Sequence, residues 1–104
     1  MTFKYNNVYI NNTETIAGKK EKEGPLGKIF DKTKQDYYFG EKTWEQAEIK
    51  LISENIKELL KKADLTIKDI DLLISGDLLN QIVASNYAAS KVDLPFLGIY
   101  NACA

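Results

Sequence analysis

The sequence has no arginine, no histidine and a single cysteine, Cys103. Each shortage removes a class of chemistry. Without histidine there is no Ser-His-Asp triad, no Cys-His dyad and no His-ligated zinc within these residues. Without arginine there is no guanidinium fork to clamp a phosphate or a guanine edge. One cysteine cannot close an intrachain disulfide, so a disulfide scaffold is excluded. No apolar run approaches the ~18 residues that a membrane span needs. The first dozen residues are strewn with Asn and Lys and show no apolar stretch of signal-peptide length. A reducing, cytoplasmic setting is the expectation.

What remains is ordinary for a globular domain. The 104 residues are 44% apolar and 28% charged, and the fourteen cations, all lysine, nearly balance fifteen anions for a net charge of −1. That balance gives nucleic-acid binding a weak electrostatic footing, and none is expected. The length allows one domain and not two. No repeat or low-complexity tract is evident. The chain divides into a loop-rich part, residues 1–42, and a regular part, residues 43–104.

In the first part, Val8-Tyr9-Ile10 and Thr15-Ile16-Ala17 are rich in strand formers and flank polar Asn11-Asn12. They form a hairpin or one longer strand, and the pattern does not choose. Gly18 to Glu23 reads as a charged, mobile stretch. Gly24-Pro25-Leu26-Gly27 reads as a turn. Asp36-Tyr37-Tyr38-Phe39-Gly40 is an aromatic loop that either covers a core edge or lines a ligand or partner surface.

The second part opens on Thr43-Trp44-Glu45-Gln46, the pattern of a capping box. Trp44, Ala47, Leu51, Ile52, Ile56, Leu59, Leu60 and Ala63 then recur at spacings of three and four. The stripe predicts a helix of about 20 residues, about 30 Å long, ending at Asp64. Thr66 and Asp69 predict a short capped turn. Leu72-Leu73-Ile74-Ser75 and Phe96-Leu97-Gly98-Ile99-Tyr100 read as strands covered on both faces. Between them Asp77 is placed to cap a helix from about Leu78 to Ser90. Strand, helix, strand is a βαβ unit with parallel strands, so the expected class is α/β.

Two places could carry chemistry. Cys103 stands just past the second strand, where open α/β sheets place ligands. It is either a nucleophile or a small buried hydrophobe. Asp77, Asn80 and Gln81 follow the first strand. Asp77 suits a cap, and Asn80 and Gln81 either hydrogen-bond a ligand or a neighbouring chain or face solvent. No pair of carboxylates at catalytic spacing stands out, and Gly24-Pro25-Leu26-Gly27 lacks the spacing of a phosphate loop.

Five stretches together resemble a known family. They are Glu23-Gly24-Pro25-Leu26-Gly27, Tyr38-Phe39-Gly40-Glu41-Lys42-Thr43-Trp44-Glu45, Asp69-Ile70-Asp71, Gly76-Asp77-Leu78-Leu79-Asn80-Gln81-Ile82 and Pro95-Phe96-Leu97-Gly98. In this order they resemble the N-terminal part of the stage V sporulation protein AD family, in the thiolase-like superfamily. The resemblance implies a thiolase-like fold, of which this chain is the first-half portion, one partial domain over residues 1–104. It implies that Cys103 occupies the position at which thiolases and ketoacyl synthases carry their nucleophile. It implies no cofactor and no catalysis, but a pocket reused for dipicolinic acid, free or as its calcium chelate, with Asn101, Ala102, Cys103, Asp77 and Asn80 as candidate ligand-binding residues. Related spore membrane proteins are the implied partners, with homodimerisation or other self-association, and the implied location is the forespore side of the spore inner membrane. Asn101 departs from the Gly common before Ala-Cys in the family, although Asn also tolerates positive φ. An acyl-transfer enzyme using Cys103 and a non-catalytic interaction fragment are the alternatives.

Overall fold

A computed structural model describes residues 2–100. The elements run β1 (Ile16–Ala17), α1 (Lys19–Glu23), β2 (Lys32–Thr33), α2 (Trp44–Ala63), a 3₁₀ turn (Ile67–Asp69), β3 (Leu73–Ser75), a 3₁₀ turn (Asn80–Ile82), α3 (Val83–Ala89) and β4 (Phe96–Gly98). Both strand pairs are parallel. Ile16 pairs with Lys32, and Leu73, Ile74 and Ser75 pair with Phe96, Leu97 and Gly98. The mixed helices and parallel strands make the class α/β, as the sequence implied.

The α2 helix follows its sequence cues. Thr43 is extended, and its hydroxyl accepts from the Gln46 amide at 3.2 Å. At the other end Asp64 takes the left-handed conformation (φ 55°, ψ 41°) that closes a helix, and Lys61 and Lys62 sit in the last turn beside the negative end of its dipole. The reciprocal capping box forms at the next turn, where Asp69 accepts from both the amide and the hydroxyl of Thr66.

The first part departs from expectation. Val8, Tyr9 and Ile10 are exposed and belong to no strand. Neither the hairpin nor the longer strand forms, because Ile16–Ala17 pairs instead with Lys32–Thr33. The charged stretch after Gly18 is the helix α1. Its Lys and Glu residues are good helix formers, and Lys19 and Glu23 face each other one turn apart. Gly27 packs so closely on the Lys22 carbonyl that a Cβ would come within 1.9 Å of it. The turn at Gly24 therefore folds back onto α1.

The aromatic loop covers a core edge through one of its three rings. Phe39 is buried, while Tyr37 and Tyr38 stay exposed and Tyr38 stacks on Trp44 at 4.1 Å. Asp36 accepts from the Tyr38 and Gly40 amides, and the Lys50 ammonium donates to the Phe39 carbonyl at 2.6 Å. Trp44 thus leaves the helix stripe for the loop.

Helices α2 and α3 pack together, and α3 packs on the β3–β4 pair. The buried side chains are small: Ala47 on α2, and Ala84, Ser85, Ala88 and Ala89 on α3. Such residues let backbones approach closely but bury little apolar area. The larger side chains lie elsewhere. Leu72, Ile74, Leu97 and Ile99 alternate onto one sheet face and remain about half exposed, Ile74 at 52% and Leu97 at 53%. Among the described residues the strands are covered on one face, by α3, and not on both as their apolar runs predicted.

Candidate functional site

The two strands that bracket α3 end side by side. The Ile99 amide donates to the Ser75 carbonyl at 2.9 Å, one step beyond the last paired residues. Chain leaving β3 therefore passes beside chain leaving β4. In parallel α/β sheets this carboxyl end is where ligands bind. A cleft of about 240 Å³ lies there, lined by Asp77, Leu78, Leu79, Asn80, Gln81, Ile82 and Tyr100. Asn101, Ala102 and Cys103 follow directly in sequence and lie outside the described residues.

Asp77 is buried at 7% exposure, and both of its carboxylate oxygens are used within the protein. Oδ1 accepts from the Leu79 amide at 2.9 Å, and Oδ2 accepts from the Ser85 amide at 2.7 Å. Ser85 is the third residue of α3, so Asp77 supplies the bond that an N-cap side chain normally makes. It does so from a distance, because the helix does not start where the sequence suggested. The expected helix from Leu78 to Ser90 is broken: Asn80–Ile82 form a 3₁₀ turn and α3 begins at Val83. Gln81 (φ 60°, ψ 23°) and Ile82 (φ 46°, ψ 45°) are both left-handed. Such backbone is rare for a residue with a Cβ and rarest for a β-branched one.

The turn is braced on three sides. The Asn86 amide group donates to the Gln81 carbonyl at 2.9 Å. The hydroxyls of Ser75 and Ser85 lie 3.1 Å apart and tie the end of β3 to α3. The Ile82 side chain is buried against Gly98, where a Cβ would stand 2.2 Å from its Cδ1. Across from the turn, burial pushes the half-buried Glu48 carboxyl of α2 up from its ordinary pKa, and the charge of Asp77 acts in the same direction.

A larger hollow of about 460 Å³ opens elsewhere, between α2 and α3. Three of its five charged groups are paired, Lys50 with Glu41 at 3.0 Å and Glu54 with Lys34 at 2.7 Å, and Lys57 and Lys91 also line it. It lies away from the strand ends, so the smaller cleft is the better candidate. Among the described residues no three His, Cys, Asp or Glu side chains gather as a metal site would require.

Of the five site residues expected from sequence, the structure places two. Asp77 and Asn80 border one cleft, with Asp77 buried and Asn80 exposed. Gln81 and Tyr100 join them on the cleft, while Ser85 and Gly98 stand behind it, against Asp77 and Ile82. A glycine within a strand is a sign that could have pointed to the close approach of the Ile82 side chain to Gly98. Nothing in the sequence marked the left-handed pair.

Comparison with known proteins bears on what this arrangement belongs to. The sequence model of the family described as stage V sporulation protein AD matches residues 1–104. The chain belongs to the stage V sporulation protein AD family. A curated relative, stage V sporulation protein AD of Bacillus subtilis (strain 168), is 47% identical over 96 residues, covering 92% of this chain. The chain spans 28% of the length of that relative. The family is named for sporulation and not for an enzyme activity. No helix among the described residues is long and apolar enough to cross a membrane.

Proposed function

We propose that this chain is the first portion of a thiolase-like domain in a sporulation protein that binds dipicolinic acid, free or as its calcium chelate, and aids its uptake into the developing spore. The observation that carries the reading is the family match over the whole chain, with 47% identity to a sporulation protein of which the chain spans 28%. Two features of the molecule support it. The cleft stands at the carboxyl ends of parallel strands and is continuous in sequence with Asn101, Ala102 and Cys103. The exposed apolar face of β3–β4 suits a sheet that a further layer completes, since parallel sheets are normally covered on both sides.

In this reading the role is binding and not catalysis, in keeping with a family named for sporulation and not for an enzyme activity. The protein works at the forespore face of the inner membrane, as a peripheral partner of related spore membrane proteins, and self-associates. Titration calorimetry of the full-length polypeptide with calcium dipicolinate tests the central claim. Saturable heat is expected, and no heat at millimolar ligand overturns it. Labelling of Cys103 by an acyl-CoA would instead favour acyl transfer.

A further inference from the structure

Gln81 poses a question that packing does not answer. Ile82 pays for its left-handed backbone by burying its side chain against Gly98. Gln81 is left-handed too, yet it is exposed and lines the cleft. Glycine would take that conformation without a clash, and asparagine more readily than glutamine. A longer side chain held there serves something other than the fold. Its neighbour Asn80 is also exposed to the cleft, and Tyr100 stands on the cleft wall. Among the described residues the cleft lining contains no lysine, so the uncharged amide N–H groups of Asn80 and Gln81 and the Tyr100 hydroxyl are the side-chain donors available to a carboxylate there.

The bonds around the turn point the same way. Asp77 spends both oxygens on the Leu79 and Ser85 amides, on either side of the strained pair. With the residue 7% exposed, little of its side chain is open to a ligand. Gly98 leaves the space into which Ile82 fits. We propose that Asp77 and Gly98 are positioning residues, which lock the Leu79–Ile82 turn so that the amides of Asn80 and Gln81 face a carboxylate ligand in the cleft. The assignment rests on the reading of this cleft as the ligand site. It moves Asp77 from ligand contact to support and adds Gln81 to the contacts.

The test uses the full-length polypeptide, calcium dipicolinate as the probe, and denaturant unfolding and amide exchange in parallel. Gln81→Gly relieves the backbone and removes the amide. Affinity falls about tenfold, as for a lost hydrogen bond to a charged group, while the unfolding midpoint holds or rises. A merely structural residue would move both together. Gln81→Asn keeps an amide in a tolerated conformation and retains affinity to within about threefold. Unchanged affinity in Gln81→Gly overturns the contact role. In Asp77→Asn the Leu79 and Ser85 amides exchange at least about tenfold faster while those of α2 do not change. Unchanged exchange at Leu79 and Ser85 overturns the positioning role. Should Asp77→Asn not fold, Gly98→Ala displaces Ile82 and is read by the same two amides. A wild-type protein that gives no heat removes the ligand reading, and exchange at Leu79 and Ser85 then decides the positioning role alone.

Discussion

The β1–β2 region is joined to α2 by charges, while the β3–β4 region is joined to α3, and α3 to α2, through a helix of small buried side chains. Around the first pair, Asp31 accepts from the Thr15 amide and hydroxyl and lies 2.8 Å from the Lys62 ammonium, which also reaches Glu14 at 3.3 Å. Lys32 meets Glu58 and Glu54, and Lys34 meets Glu54 at 2.7 Å. Around the second pair the joins are Ala84, Ser85, Ala88, Ala89 and the Gly98–Ile82 contact. Solvent screens the first kind of join and leaves it adjustable. The second kind tolerates almost no change of volume. The candidate site stands on the second kind, which suits a cleft whose geometry has to persist.

Substitutions that add volume should separate the two regions most sharply. Gly98→Val places carbon where Ile82 Cδ1 already sits, and Ile82 is buried and cannot swing away. Destabilisation of about 3 kcal/mol is expected, the upper end of the range for overpacking. Urea unfolding checks it, and a loss under ~1 kcal/mol would show that the turn yields. Ala84→Leu, at a position with no exposed surface, should cost about 2 kcal/mol because α2 and α3 must part. An unchanged midpoint would mean that the helices are not in close contact in solution.

These effects also show what the sequence could and could not reveal. The α2 helix was legible from end to end, because Thr43, the apolar stripe and Asp64 are local signals that agree. The parallel β3–α3–β4 unit was legible in outline from two apolar runs and the residues between them. The pairing of Ile16–Ala17 with Lys32–Thr33 was not, because it is non-local and two residues long. Nor was the exposed face of β3–β4, since an apolar run says that a strand can be covered and not by what. The break before α3 was hidden for a different reason. Gln81 and Ile82 both disfavour the conformation they adopt, and only Asp77, Asn86 and Gly98, brought together by the fold, make it stable. Asp77 was placed correctly as a cap and incorrectly as to where its helix starts.

A smaller effect belongs to the start of α2, which both regions share. Thr43→Ala removes the oxygen that accepts from the Gln46 amide and should cost about 1 kcal/mol. Thr43→Asn should restore most of it, and thermal unfolding of the pair separates loss of the cap from loss of a surface methyl. Equal midpoints for wild type and Thr43→Ala would place the start of the helix elsewhere.

The charged joins predict the smallest change, and one that pH reveals. Bonds from Lys62 and Thr15 hold the Asp31 carboxyl down to about 2, from an ordinary 3.8. A depressed folded value means that stabilisation is complete above the unfolded value and is lost as protons return. The Asp31 contribution should therefore be full above pH 3.8 and disappear as pH falls toward about 2. Lys62 runs the other way. Its bond to Asp31 raises its pKa above 10.5, so its contribution is complete below that pH and is lost as pH rises through the raised value. Asp31→Asn keeps the size of the side chain and removes its titration. Across the acid window its urea midpoint should fall less steeply than that of the wild type, and added salt should narrow the difference by screening the exposed Lys62 partner. Parallel acid curves for the two proteins would mean that the Asp31–Lys62 join forms without stabilising the fold, leaving the backbone pairing of Ile16–Ala17 with Lys32–Thr33 to hold β1 and β2 together.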